Sequence, residues 1–341
     1  SRRDYEVTRK IYERVPVLIR EKRGKWPEEN PWGLRFMAMF HMANDSGLFR
    51  TREQLEDDGW ELHGNVFERA GEKYFPLYEA KMVHQFDHRW ATYEGDKARD
   101  CTSDEKSDPH FVAMPRYWVP ETEVNSRLAG KWDKNWLLGW RDICRSTDER
   151  TVIASMIPLC GTGDTFLLAL VGGSRSDHAG FLLAALNSLV VDYVARQKVG
   201  GTHLKYHVFR QLPVYPPTAG DVQVPWDSSV TVAEWIAERV SGLLMTTHGM
   251  VATDLNTRGL IEPVIWDDES RLQVRCELDA AFFHLYGLDR DDVEHVFTAF
   301  PGLRENEMKR YGEFTTERLV LECYDAMAGA DSPEGAPGHA Q

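Results

Sequence analysis

The sequence predicts an α+β fold, because strand-like runs and helical periodicity occupy separate stretches of its 341 residues. Strand-like runs rich in aromatic and β-branched side chains lie at residues 110–120, 135–143 and 150–159. Helical periodicity is clearest over residues 181–198, and it dominates the chain after residue 231. We therefore expect a mixed, β-rich core with one long helix, preceded by a helical N-terminal segment and followed by a C-terminal helical cap.

The N-terminal segment, residues 1–74, begins with a basic helix that we expect to reach residue 25. Pro16 is expected to kink or divide this helix, because proline lacks a backbone donor and clashes with the preceding turn. Residues 26–33 are predicted to form a loop. The rest of the segment mixes short apolar runs with turns.

The core, residues 75–217, contains the longest predicted helix. Leucine, valine and tyrosine side chains recur at helical spacing over residues 181–198, and a glycine pair then ends the helix. Residues 204–217 alternate as expected for a strand. The polar residues 94–109 are predicted to form a mobile loop.

The C-terminal region, residues 218–328, is predicted to be mainly helical. The predicted helices cover residues 231–246, 275–287, 289–299 and 315–328. Residues 329–341 are rich in glycine, alanine and proline, so we expect a disordered tail.

The net charge of −14 is unevenly divided along the chain. Residues 221–341 carry 9 basic and 23 acidic side chains, whereas residues 1–220 carry 31 of each. Positive charge is in local excess in residues 1–25, with 9 basic and 4 acidic groups, and in residues 109–215, with 12 and 9. A polyanion is therefore expected to meet the first two thirds of the chain. Charges that merely solvate helix faces are the alternative explanation.

Cysteine usage and hydropathy bear on the compartment. The five cysteines are odd in number and none stands in C-x-x-C spacing, which argues against a zinc ribbon or a disulfide scaffold and favours reduced thiols in the cytoplasm. No apolar run reaches the roughly 18 residues that span a bilayer. The charged start SRRDYEV does not resemble a signal peptide, and the missing initial methionine leads us to expect further chain upstream.

Few residue patterns in the chain point to catalysis. Glu79 and Lys81 form an E-x-K triplet downstream of Asp57 and Asp58, a set with which nucleases hold Mg²⁺ and position the attacking water. A stand-alone Mg²⁺-dependent nuclease is therefore one alternative function. A subunit that binds a basic protein through its acidic C-terminal part is another.

Three blocks of sequence, in order and spacing, resemble one family of DNA-modifying proteins. They are FPLYEAKMVHQFDHRWATYEG at residues 75–95, WLLGWRDICRSTDERTVIASMIP at residues 136–158, and LLAALNSLVVDYVARQKVGGTHLKYHVFRQLPVYPP at residues 182–217. The third block is the most specific, through QKVGGTH followed by QLPV. Together the blocks resemble the C-terminal target-recognition region of large adenine-N6 DNA methyltransferases of the Eco57I-like (type IIG-like) group, which combine restriction and modification.

The resemblance implies a specificity part that works with a separate catalytic part. The family's S-adenosylmethionine loop and its [DNS]-P-P-[YFW] motif normally lie upstream of the first block, and this sequence contains neither. S-adenosylmethionine is therefore expected in an upstream or partner catalytic domain, with no cofactor and no metal in this chain. The expected partners are that adenine methyltransferase domain and double-stranded DNA, with no membrane.

The candidate DNA-binding residues come from all three blocks. They are Arg89 in the first, Arg141, Arg145, Ser146, Thr147 and Arg150 in the second, and Arg196, Lys198, Gly200, Gly201, Thr202, His203, Lys205 and Arg210 in the third. Glycine lets the backbone approach a phosphate, hydroxyl and imidazole groups donate to it, and arginine can grip guanine with two hydrogen bonds. A salt bridge to a nearby acid, such as Asp142 or Glu149, is the alternative for each arginine. The expected function is target recognition, positioning duplex DNA for adenine methylation in a restriction-modification or phage-defence system.

Overall fold

A computed structural model describes residues 1–172 and 176–330 and has the predicted α+β fold. Its helices are α1 (Arg2–Arg14), α2 (Arg52–Asp57), α3 (Ser103–Ser107), α4 (Glu121–Leu128), α5 (Ser176–Asn187), α6 (Leu189–Lys198), α7 (Tyr206–Phe209), α8 (Val232–Leu244), α9 (His248–Val251), α10 (Asp268–Leu285), α11 (Arg290–Phe297), α12 (Pro301–Tyr311) and α13 (Thr315–Ala330). Its strands are β1 (Arg35–Met37), β2 (Glu61–His63), β3 (Val66–Arg69), β4 (Glu72–Tyr78), β5 (Ala91–Glu94), β6 (Lys97–Asp100), β7 (Trp118–Pro120), β8 (Trp136–Arg141), β9 (Ala154–Pro158), β10 (Gly161–Thr162), β11 (Phe166–Leu170), β12 (Gln223–Val224) and β13 (Asp227–Thr231).

A four-stranded antiparallel sheet in the order β1-β11-β8-β9 occupies the middle of the fold. The predicted strands at residues 135–143 and 150–159 are confirmed as β8 and β9. Successive side chains of a strand point to opposite faces. Leu138 and Trp140 accordingly pack in the same core as α5 and α6, while Leu137 packs with the second sheet. Both faces are buried, which explains the continuous apolar run of β8.

The second sheet is built around β4, in the order β10-β4-β3-β2 with β7 also paired to β4. The strand predicted over residues 110–120 is confirmed only at β7. The mobile loop predicted over residues 94–109 is wrong, because this segment contains β6 and α3. Thr102 and Glu105 cap α3 reciprocally, and the Lys106 ammonium lies buried 2.7 Å from Asp87. Polar composition here reflects caps and ion pairs.

The long helix predicted over residues 181–198 is two helices, α5 and α6, whose axes differ by 55°. The Ser188 hydroxyl accepts a hydrogen bond from the Val191 amide at 3.3 Å and thereby caps α6. The Asp279 carboxylate on α10 accepts from the Leu189 amide at 2.7 Å. These acceptors satisfy amide groups that the break leaves without helical partners. Apolar periodicity continues across the break and does not reveal it.

The strand predicted over residues 204–217 is also wrong, because its apolar side chains sit on the turn α7 and the coil that follows. The Phe209 ring stacks on Trp140, with ring centroids 3.9 Å apart, and Tyr206 stacks on Phe36 at 5.3 Å. This aromatic packing on the central sheet outweighs the alternation in the sequence.

The C-terminal region is helical as predicted. α8, α11 and α13 match three predicted helices closely, and α10 begins before residue 275, at Asp268. The charged helix α12 was not predicted, because only Glu307 is buried along it. Residues 329–330 still belong to α13, and the rest of the predicted tail lies outside the described residues.

One hydrophobic core joins the N-terminal, central and C-terminal segments. It runs from Val7 on α1 through Leu182 and Val190 to Met327 on α13. The basic helix ends at Arg14, before the predicted break at Pro16. The domain boundaries stay predictions.

Within residues 1–172 and 176–330, no single helix is long and apolar enough to cross a membrane. Only the bent pair α5 and α6 passes on combined length and composition, and its apolar side chains belong to the core.

Candidate nucleic-acid interface

The loop after α6 is exposed and leaves backbone donors open. The amide groups of Gly200, Gly201 and Thr202 donate to no acceptor among the residues that the structure describes. A Cβ placed on either glycine would meet nothing within 4 Å. The Thr202 carbonyl accepts from the Cys144 amide at 3.1 Å, which fixes the loop beside the end of β8. Three consecutive free amides at an open surface are suited to an anion.

Two side chains next to this loop share one carboxylate. Asp142, only 4% exposed, accepts from the Lys205 ammonium at 2.5 Å and lies 3.0 Å from His203 Nδ1. Lys205 itself is 47% exposed. The buried carboxylate therefore orients the ammonium while half of the lysine side chain stays open to solvent.

Lys198 and Arg210 lie on either side of α7. The Lys198 ammonium is 3.3 Å from the Gln211 amide oxygen, and the Arg210 guanidinium is 3.0 Å from Glu21. The Arg210 carbonyl accepts from the Ile19 amide at 3.0 Å. This hydrogen bond joins the α6–α7 region to the segment that follows α1.

That segment is a hairpin over residues 20–29, which sequence reasoning divided between a helix and a loop. Arg20 and Glu29 exchange two backbone hydrogen bonds of 2.9 Å, and Arg23 and Trp26 exchange two of 3.0 Å. Gly24 forms the tip with φ of +58°. The available sequence signal was Gly24 between short polar runs, followed by Pro27.

Arg196 and Arg150, both predicted DNA contacts, are buried around Asp192. Arg196 Nε lies 2.9 Å from the Asp192 carboxylate and Arg150 Nε lies 3.3 Å from it. Arg196 also donates to the carbonyl groups of Ser146, Asp148 and Glu149 at 2.6–2.8 Å. Burial lowers the pKa of Arg196, and the Asp192 charge opposes that effect. Arg196 donates to Asp192 and to backbone carbonyl groups, and Arg150, 8% exposed, donates to the Asn187 carbonyl, so both guanidinium groups are engaged inside the fold.

Arg89 and Arg141 are likewise engaged inside the protein. Arg89, 1% exposed, donates to the carbonyl groups of Lys106, Asp108, Phe111 and Thr246. Arg141 Nε donates to the Val83 carbonyl at 2.7 Å, and burial lowers the pKa of Arg141 to about 10. We leave both residues, with Arg150 and Arg196, out of the candidate surface.

Arg145, Ser146 and Thr147 are exposed, and their side chains have no partner among residues 1–172 and 176–330. Arg196 anchors the backbone of this segment from beneath. The segment follows Cys144, whose amide bonds the glycine loop, so its side chains lie next to that loop. We call the exposed and half-buried residues of this surface the basic band; it consists of Arg145, Ser146, Thr147, Lys198, Gly200, Gly201, Thr202, His203, Lys205, Arg210 and the hairpin 20–29.

Two of the four residues of the nuclease alternative, Glu79 and Lys81, lie beside the Tyr93 side chain, whereas Asp57 and Asp58 lie at the end of α2. The Tyr93 hydroxyl donates to the Glu79 carboxylate at 2.8 Å, and the Lys81 ammonium lies 4.9 Å from the Tyr93 ring centroid. Within the described parts of the chain, no three His, Cys, Asp or Glu side chains are grouped as metal ligands.

No protein-family model and no curated protein matches this chain. The chemistry assigned to the basic band therefore rests on its geometry and on the residues themselves.

Proposed function

We propose that this chain binds duplex DNA through the basic band, as the target-recognition part of a site-specific adenine-N6 DNA methyltransferase. One observation carries the proposal: three consecutive free amides, from Gly200 to Thr202, lie beside the half-exposed Lys205. DNA phosphate oxygens need hydrogen-bond donors and positive charge at close range, and this loop supplies both.

The surroundings of the loop fit a phosphate better than a small neutral ligand. Asp142 is buried beneath the surface, where it orients Lys205 and offsets part of its charge, while the half-exposed lysine side chain stays on the side that an anion approaches. A Cβ at Gly201 would point into open space, which leaves room for a DNA backbone. In this proposal Arg145, exposed on the segment that follows Cys144, reads a base edge while the loop holds the phosphates.

In this proposal the chemistry belongs to another domain. A methyltransferase must flip the adenine out of the stack, which requires that the duplex be held in a fixed register. The chain would provide that register, and a partner domain that binds S-adenosylmethionine would transfer the methyl group. A cytoplasmic restriction-modification or phage-defence system is the setting that this division of work fits.

The test is a titration of labelled duplex DNA at two salt concentrations, paired with a thermal melt of each variant. We expect Lys205→Ala to weaken binding about equally across sequences and to lower the salt slope by about 1. We expect Gly201→Val to weaken binding at an unchanged melting temperature, because its side chain meets nothing within 4 Å.

Lys309→Ala is the matched control, since Lys309 is an exposed lysine paired with Glu305 in the acidic part of the chain. It should leave affinity and salt slope unchanged. Binding that is insensitive to salt, or equal effects of the two lysine variants, would overturn the proposal.

A further inference from the structure

The hairpin 20–29 carries the most concentrated unpaired charge of the basic band. Lys22, Arg23 and Lys25 surround the turn, and none has an acidic partner among the residues that the structure describes. Trp26 follows directly and is 66% exposed. The Lys25 ammonium lies 5.6 Å from the Trp26 ring centroid.

The paired charges of this hairpin lie at its base, and the unpaired cations lie at its tip. At its base, Glu29 pairs with Arg20 at 3.0 Å and Glu21 pairs with Arg210 at 3.0 Å. Glu28, exposed and without an ion pair among the described residues, leaves the base slightly negative, while the tip is positive. Four residues at roughly 3.3 Å each place the tip at Gly24 about 13 Å from Arg20, at the base of the hairpin.

The exposed indole is not explained by packing within the chain. Tryptophan has one of the largest apolar side-chain areas that can be buried in an interface. An exposed tryptophan next to three cations therefore fits an anionic partner that also offers apolar surface. Duplex DNA meets both conditions, because thymine methyl groups line its major groove between two rows of phosphates.

The dimensions also fit. Paired strands lie roughly 4.8 Å apart, and a two-stranded ribbon is one of the elements that the major groove, about 12 Å wide, admits. The minor groove, about 6 Å wide, is too narrow for such a ribbon with its side chains.

We propose that the tip of the hairpin, Lys22 to Trp26, enters the major groove of the duplex. Trp26 packs against thymine methyl groups, and Lys22, Arg23 and Lys25 bind the flanking phosphates. This inference rests on the proposed DNA-binding function and adds to it the groove and the residues that occupy it.

The first measurement is fluorescence anisotropy with a mixed-sequence duplex of about 40 base pairs, which gives room for the module and its flanks. Trp26→Ala should weaken binding about tenfold, because the apolar area of the indole is no longer buried. Replacing Lys22, Arg23 and Lys25 together by alanine should lower the salt slope by roughly 2–3. Ile261→Ala, at an 86% exposed apolar residue in the acidic part, is the control and should bind as wild type.

The second measurement identifies the groove. A duplex whose cytosines carry bulky glucosyl-hydroxymethyl groups in the major groove should bind wild type more weakly, and Trp26→Ala should lose this discrimination. Netropsin, which fills the minor groove, should leave binding unchanged. Displacement by netropsin together with indifference to glucosylation would overturn the inference.

The two proposals fail in different ways. If Lys205→Ala weakens binding while the hairpin variants bind as wild type, the hairpin inference is wrong and the DNA-binding function stands. If wild type shows no salt-sensitive binding to any duplex, the proposed function itself fails.

Discussion

Substitution of Arg196 tests whether burial distinguishes a structural arginine from a side chain that is proposed to bind DNA. In the sequence it belongs to the same basic cluster as Lys205, yet its side chain is only 4% exposed and lies against the Asp192 carboxylate. Its guanidinium also lies 4.1 Å from the Phe300 ring centroid. Arg196→Met keeps most of the apolar stem and removes only the charge and the donors.

The expected loss follows from what the substitution leaves behind. Asp192 is 0% exposed, so in Arg196→Met it keeps only Arg150, at 3.3 Å, as a charged partner. The carbonyl groups of Ser146, Asp148 and Glu149, which accept hydrogen bonds from Arg196, also lose their donor. Removing one member of a buried ion pair costs about 3–5 kcal/mol. We expect Arg196→Met to lower the free energy of unfolding by that amount.

Urea denaturation followed by circular dichroism measures this loss, and anisotropy at low temperature measures DNA binding by the folded protein. Arg196→Met should be destabilised but keep the wild-type salt slope. Lys205→Ala should lower the salt slope and lose less stability than Arg196→Met, because the Lys205 side chain is 47% exposed and Asp142 keeps His203 at 3.0 Å. A stable Arg196→Met with a lowered salt slope would refute the reasoning, since it would mean that the guanidinium turns outward to DNA.

Two further predictions concern Asp279 and Arg145. Burial raises the pKa of Asp279 from 3.8 to about 6, so at ~1.4 kcal/mol per pKa unit its ionisation removes ~3 kcal/mol of stability as pH rises from 4 to 6. Asp279→Asn keeps an acceptor for the Leu189 amide. Thermal melts should therefore show that this variant is more stable than wild type at pH 8 and no more stable at pH 4. An equal difference in melting temperature at both pH values would contradict this prediction. Arg145→Ala should relax specificity at one base position by roughly 1–3 kcal/mol, measured by binding to single-base variants of a selected site; a uniform loss across all variants would mean a phosphate contact instead.

The sequence predicted correctly those strands and helices whose buried residues recur with a simple period. β8 and β9 are mostly apolar and buried on both faces, and α8 and α13 each bury one stripe, so local pattern and final environment agree. The break between α5 and α6 differs, because both helices are buried on most sides and the stripe stays continuous. Its cause is partly the Asp279 carboxylate, which comes from 90 residues away.

The candidate site was predicted as a region but not residue by residue. Charge alone does not tell an inward arginine from an outward one, although the spacing of Asp192 and Arg196, four residues apart on one helix, does favour an internal pair. The carboxylate that orients Lys205 comes from Asp142, far away in sequence. Hairpin 20–29 was missed because the basic helix was extended past Pro16.

The acidic part of the chain also explains which cations remain for the proposed DNA contacts. Asp292, fully buried on α11, lies 2.6 Å from the Lys10 ammonium and 2.7 Å from the Arg3 guanidinium, and it raises the pKa of Lys10. Much of the positive charge of α1 is therefore used in packing against the C-terminal helices. Lys22, Arg23 and Lys25, at the tip of the hairpin, have no such partner in the described parts of the chain. Because charges act over only about 8–10 Å at physiological salt, a phosphate at the hairpin responds to those cations and hardly to the distant acids that set the net charge of −14.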